Sequence, residues 1–169
     1  MDARQAGIEI RAAIKQGDLE KVVALIGTDR ARLEMMTVFG TWLHVAATHG
    51  KLEIVKRLVD MGVDVNRRGG VSDGGALREA ASAGRVDVIE YLLSKGAIMD
   101  VGEPNRNPLF AAIYGGHTAV AKLLIEKGID TKLKYSGESM KNMDALAFAK
   151  EWGRTDIIDL LCLRNETAK

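Results

Sequence analysis

The 169-residue chain has a single cysteine, Cys162, so it forms no internal disulfide; packing must hold it together, which suits a reducing compartment. It has only two prolines, and its aromatic residues are few: three Phe, three Tyr and two Trp. No run approaches the roughly 18 apolar residues of a membrane-spanning helix, so no span is expected. Neither sign of charge dominates. Twenty-four Lys+Arg stand against 23 Asp+Glu with the signs interspersed, and no stretch reads as a footprint for nucleic acid or anionic lipid. The opening "MDARQAGIEIRAAIKQGD" is charged throughout and lacks the apolar region of a signal peptide. One soluble, cytoplasmic domain over residues 1–169 is expected.

Histidine is scarce too, and two of the three, His44 and His49, lie five residues apart in "TWLHVAATHG". On a helix, positions i and i+5 diverge by about 140°, whereas a metal pair uses i and i+4. With no cysteine or spaced carboxylate beside them, neither a metal site nor a catalytic one is expected. The glycine-rich "RRGGVSDGG" lacks the order of a phosphate-binding loop and follows no strand, so no cofactor is expected either.

What the chain does have is self-similarity. Five segments align on a closing glycine: "IEIRAAIKQG" (8–17), "TWLHVAATHG" (41–50), "GALREAASAG" (75–84), "NPLFAAIYGG" (107–116) and "DALAFAKEWG" (144–153). Their starts are separated by 33, 34, 32 and 37 residues. After each glycine comes a second amphipathic stretch, such as "KLEIVKRLVDMG", in which Leu52, Val55, Leu58 and Val59 form one helical stripe. Gly62, Gly96 and Gly128 fall where such a helix should stop in a left-handed residue. Each unit therefore reads as helix, tight turn, helix, glycine stop. A period of this length marks stacked repeats that share one core.

These segments resemble ankyrin repeats over about residues 5–164. The family pattern T-P-L-H-x-A-A-x-x-G stands as "TWLHVAATHG", with Trp42 for proline, and as "NPLFAAIYGG", with Asn107 and Phe110 for Thr and His. The resemblance implies an all-α solenoid of five stacked helix-turn-helix units with β-turn fingers, the first and last units acting as polar caps. It gives structural duties to Thr41, His44 and His117, and leaves His49 without one. The fingers depart from the family pattern: "EMMTVFG" (34–40) is apolar, "RRGGVSDGG" (67–75) is glycine-rich, and "KLKYSGESMKNM" (132–143) is long. Irregular loops on a rigid scaffold tend to carry function.

The resemblance further implies non-catalytic protein recognition by finger tips and first-helix ends on a concave face. The residues so placed are Val38 and Phe39, Val71 and Asp73, Glu103 and Arg106, Tyr135, Met140 and Met143 from the fingers, with His49, Tyr114 and Trp152 from the helices. A monomer that holds one cognate protein is expected. Similarity to small bacterial ankyrin proteins encoded beside secreted toxins sharpens this to an inhibitor or immunity protein. The alternative is an intracellular adaptor with several partners; no small-molecule substrate is expected.

Overall fold

The structure is a computed structural model, and it describes residues 2–137 and 140–167. Helices α1 (Ala3–Gln16) and α2 (Leu19–Ile26) form the first antiparallel pair, and the short α3 (Arg30–Leu33) follows. Pairs α4 (Trp42–Thr48) and α5 (Leu52–Asp60), α6 (Ala76–Ser82) and α7 (Val86–Ser94), and α8 (Pro108–Gly115) and α9 (Thr118–Glu126) come next. Strands β1 (Tyr135–Gly137) and β2 (Met140–Met143) precede the last pair, α10 (Ala145–Glu151) and α11 (Thr155–Thr167).

First helices pack on first helices, α1 on α4, α4 on α6, α6 on α8 and α8 on α10, while the second helices form a parallel layer behind them. The sequence columns explain why. Ala13, Ala46, Ala80, Ala112 and Ala149 share one register position and are all fully buried, so the inner helices approach without steric obstruction. The outer layer fills its space with Leu58, Leu92, Leu124 and Leu161, also buried. Each such leucine contributes about 1.5–3 kcal/mol on leaving water. The result is the all-α solenoid that the repeats imply.

The helix ends are tied across units. After three of the five closing glycines the next residue reaches back to the last turn of the preceding first helix: Arg85 Nε donates to Thr48 O at 3.1 Å, His117 Nε2 lies 3.0 Å from Ser82 O, and Arg154 Nε donates to Ile113 O at 3.0 Å. Carbonyls at the negative end of the helix dipole thereby gain side-chain donors, Ile113 O accepting from the Gly116 amide as well.

Gly62, Gly96 and Gly128 have φ of 90°, 84° and 88°, as their stop positions require. The first unit ends differently: Gly27 closes α2, and Asp29 caps the added α3 through bonds from the Ala31 and Arg32 amides. Trp42, in the proline column, is fully buried and donates its indole N–H to Arg32 O at 2.7 Å, so it packs under α3. In the last unit, expected as a polar cap, Arg154 ties the helix pair to α8.

A candidate protein-binding groove

The fingers are shaped by local backbone bonds. The first closes by reciprocal bonds of 3.0 Å between Thr37 and Gly40, and the second by a bridge between Gly69 and Gly74, with Gly70 at φ 72° and Asp73 at φ 49°. Aspartate tolerates the left-handed region better than most residues, and the Asp73 carboxylate pairs with Arg68 at 2.8 Å. The third turns through Glu103, whose carbonyl accepts from the Arg106 and Asn107 amides. The fourth is an antiparallel hairpin, Tyr135 opposite Met143 and Gly137 opposite Met140, rather than the β-turn the resemblance implies. Glu138 and Ser139 of that stretch lie outside the described residues.

His44 joins helix to finger. Its Nδ1 lies 2.8 Å from the Thr41 hydroxyl and accepts from the Thr41 amide at 3.2 Å, so the proton sits on Nε2, which donates to Gly74 O at 3.0 Å. Burial pushes the imidazole below its ordinary 6.5, partly offset by the Gly74 carbonyl and Glu79. Gly40 makes room for this ring: at φ 86°, a Cβ there would lie 2.6 Å from His44 Cγ.

Between the fingers and the inner helices runs a groove with two parts. The part nearer the N-terminus encloses about 510 Å³ and is lined by Arg11, Lys15, Phe39, Val45, His49 and Val71, among others. The second encloses about 470 Å³ among Phe110, Tyr114, Met140, Met143, Phe148 and Trp152. Arg78 and Asn105 border both parts, and Arg78 Nε donates to Asn105 O at 3.0 Å, forming the partition.

Most residues expected at the surface line this groove or stand beside it. Val71 is 95% exposed, Val38 73% and Phe39 51%. Met36, on the same finger, lies over Gly69, so the first finger packs on the second while presenting Val38 and Phe39 outward. Tyr114 and Trp152 are about half exposed and meet edge to face with centroids 4.6 Å apart; Trp152 also leans on Phe148, which stacks on Phe110. Glu103 is exposed, while Arg106 folds back to bind Asp100 at 2.9 Å within its own turn.

Tyr135, expected on the finger surface, instead turns inward. It is buried, its hydroxyl donates to Val101 O at 2.7 Å and accepts from Asn107 Nδ2 at 2.9 Å, and its ring packs against Phe110. The hydroxyl is held inside because Asn107, which caps α8 with its Oδ1, would otherwise leave a buried amide N–H without a partner.

Arg11, Lys15, Arg78, Glu79 and Phe148 line the groove without having been singled out in the sequence. Register reveals only Lys15, which shares a column with Tyr114; Arg11 and Arg78 fall in the column of the buried His44, and Glu79 and Phe148 in that of the buried Val45, so position in the repeat hides them. The structure also gathers cations that the sequence disperses. Burial first, then Lys15, Arg85, Lys51 and Arg11, hold the His49 imidazole below its ordinary 6.5. Among the described residues no cluster of His, Cys, Asp and Glu is arranged to hold a metal ion, and no helix is long and apolar enough to cross a membrane.

Comparison with known proteins agrees with this architecture. The chain is 34% identical over 104 residues to "Protein fem-1 homolog A-like" of Mus musculus, covering 61% of the chain and 16% of that protein. It is 36% identical over 110 residues to "Palmitoyltransferase ZDHHC17" of Danio rerio, covering 63% and 18%. With "Palmitoyltransferase ZDHHC13" of Homo sapiens it shares 37% over 90 residues, covering 52% and 14%. The chain thus spans less than a fifth of the length of these relatives. The family model for ankyrin repeats in three copies matches residues 10–103 and 98–169, nearly the whole sequence, and the chain belongs to the ankyrin-repeat family.

Proposed function

We propose that the chain is a non-catalytic module, one domain of five ankyrin repeats, that holds a protein partner in the groove between its fingers and inner helices. The observation that carries this reading is the exposed Tyr114–Trp152 pair beside Met140 and Met143. Solvent-facing Tyr and Trp are costly to leave in water and are enriched among residues whose loss weakens an interface by about 2 kcal/mol or more. The groove also has two hydrophobic finger tips at its other end, Phe39 and Val71.

The sharper form of the proposal is an inhibitor of one cognate protein, such as a secreted toxin, acting by steric cover of the partner's working surface in the cytoplasm. Its support is the similarity of the finger sequences to small bacterial immunity proteins. A second reading, an adaptor with several partners, is favoured by the relatives, in which the matched stretch is a minor part of a longer protein.

The test is affinity capture from the native lysate with the tagged chain and a Tyr114→Ala/Trp152→Ala variant. One stoichiometric partner lost in the variant supports the dedicated binder, and protection of cells on co-expression with that partner supports inhibition. Several weak partners lost together support the adaptor. Partners indifferent to both substitutions contradict use of this groove.

A further inference from the structure

The half of the groove nearer the N-terminus differs in chemistry from the aromatic half. Arg11 and Lys15 extend into it from α1, and Lys51 and Arg85 stand near its edge around His49. Among the described residues none of these four cations has a carboxylate in ion-pair range. The carboxylate that lines this half, Glu79, is already engaged: its Oε1 accepts from Ser72 Oγ at 2.7 Å and from Arg78 Nη1 at 3.1 Å. Arg11 is held in place over the Phe39 ring, 4.6 Å from its centroid. Burial first, and then these same four cations, hold the His49 imidazole below its ordinary 6.5.

Positive charge and apolar surface alternate within reach of one another. Phe39 lies against Arg11, the nearly fully buried Val45 lines the same half of the groove, and Val71 stands exposed in it. A ligand that neutralised the cations without covering these side chains would leave much of the site in water. One that covered them without carrying charge would bury Arg11 and Lys15 unpaired, which is costly.

We infer that this half of the groove receives an acidic segment of the partner protein, with Asp or Glu side chains against Arg11 and Lys15 and a neighbouring aliphatic or aromatic side chain between Phe39, Val45 and Val71. The inference rests on the groove being the binding face. A nucleic acid fits less well, because the cations gather at one point instead of tracking a backbone. A bilayer surface fits less well because Arg11 is half-buried between α1 and the first finger.

The test is selection of a displayed random-peptide library on the full chain, followed by affinity measurement of the selected peptides. Beside it run Arg11→Glu/Lys15→Glu and Tyr114→Ala/Trp152→Ala, with circular dichroism as the check of folding. The expected result is peptides enriched in Asp and Glu beside an apolar residue. Their affinity should fall roughly tenfold or more in the charge-reversed chain and fall with added salt. The salt dependence of the unaltered chain keeps the test decisive if the charge-reversed chain does not fold.

Selected peptides that lack acidic residues, lose affinity on removal of Tyr114 and Trp152, and ignore reversal of Arg11 and Lys15 would overturn the inference while leaving the groove as the binding face. Peptides indifferent to both variants, or an absence of any selected peptide, would overturn both. A single-stranded RNA oligonucleotide or phosphatidylserine vesicles that bind more tightly than the acidic peptides, and compete with them, would assign the cations to a different polyanion and overturn it as well.

Discussion

Trp152 stands edge-on to Tyr114, 4.6 Å between ring centroids, and the two come from different repeat units. An edge-to-face pair places the positive rim of one ring on the negative face of the other and is worth about 0.5–1.5 kcal/mol beyond the area buried. A double-mutant cycle of Tyr114→Ala and Trp152→Ala in urea unfolding should return a coupling in that range, and each substitution should weaken partner binding by about 2 kcal/mol or more. Strict additivity in the cycle would show that the contact does not couple the units.

Arg154 ties the final helix pair to α8 through the carbonyls of Ile113 and Tyr114. Its replacement by Ala removes charge-assisted bonds from a helix terminus and should cost about 1–3 kcal/mol. Because stacked repeats hold mainly to their neighbours, the loss should appear first as faster hydrogen exchange in α10 and α11, with α4 to α7 little changed. A uniform change across the chain would contradict this nearest-neighbour account.

Tyr135→Phe probes the buried link between the hairpin and α8. It leaves Asn107 Nδ2 without its partner and the Val101 carbonyl without its donor. A destabilisation of about 1–3 kcal/mol in chemical unfolding is expected. Partner affinity, measured on the folded fraction, should hardly change, since the residue is buried.

Acid should destabilise the fold through His44. The folded imidazole sits below its ordinary 6.5, chiefly through burial, and its bonding geometry uses the neutral ring. Its contribution is therefore fully present above about pH 6.5 and is lost as the pH falls toward the lower folded value, because the unfolded chain takes the proton first. His49 is shifted in the same direction and adds to the slope. Urea midpoints measured between about pH 7.5 and about pH 5 should fall, and the fall should flatten in His44→Gln set against a His49→Ala control. An unchanged slope in His44→Gln would remove His44 from the account.

The fold was largely legible because packing writes itself into columns. The alanines at Ala13, Ala46, Ala80, Ala112 and Ala149 and the glycine stops at Gly62, Gly96 and Gly128 recur for reasons of close approach and positive φ, and both survive in the structure. The roles of Thr41 and His44 could likewise be read from the family pattern, and both bond at the start of α4, whereas the pattern placed His117 without stating its bond to Ser82 O. The fingers were less legible. Nothing in "KLKYSGESMKNM" states that Tyr135 turns inward to meet Asn107, since that pairing spans 28 residues and depends on the hairpin. Charge hid for a similar reason. Arg11 and Lys15 belong to the first unit, Lys51 to the second and Arg85 to the third, so a count along the chain balances while the stack brings them around one histidine.

The groove as binding face is tested most directly by site-specific photocrosslinking. A benzophenone side chain would be placed at Trp152, Val71 or Glu90, the last exposed on α7 in the outer helix layer. Irradiation in the native lysate should attach the same protein to positions 152 and 71 and leave position 90 unlabelled. A partner attached through position 90, with none at 152 or 71, would contradict the account.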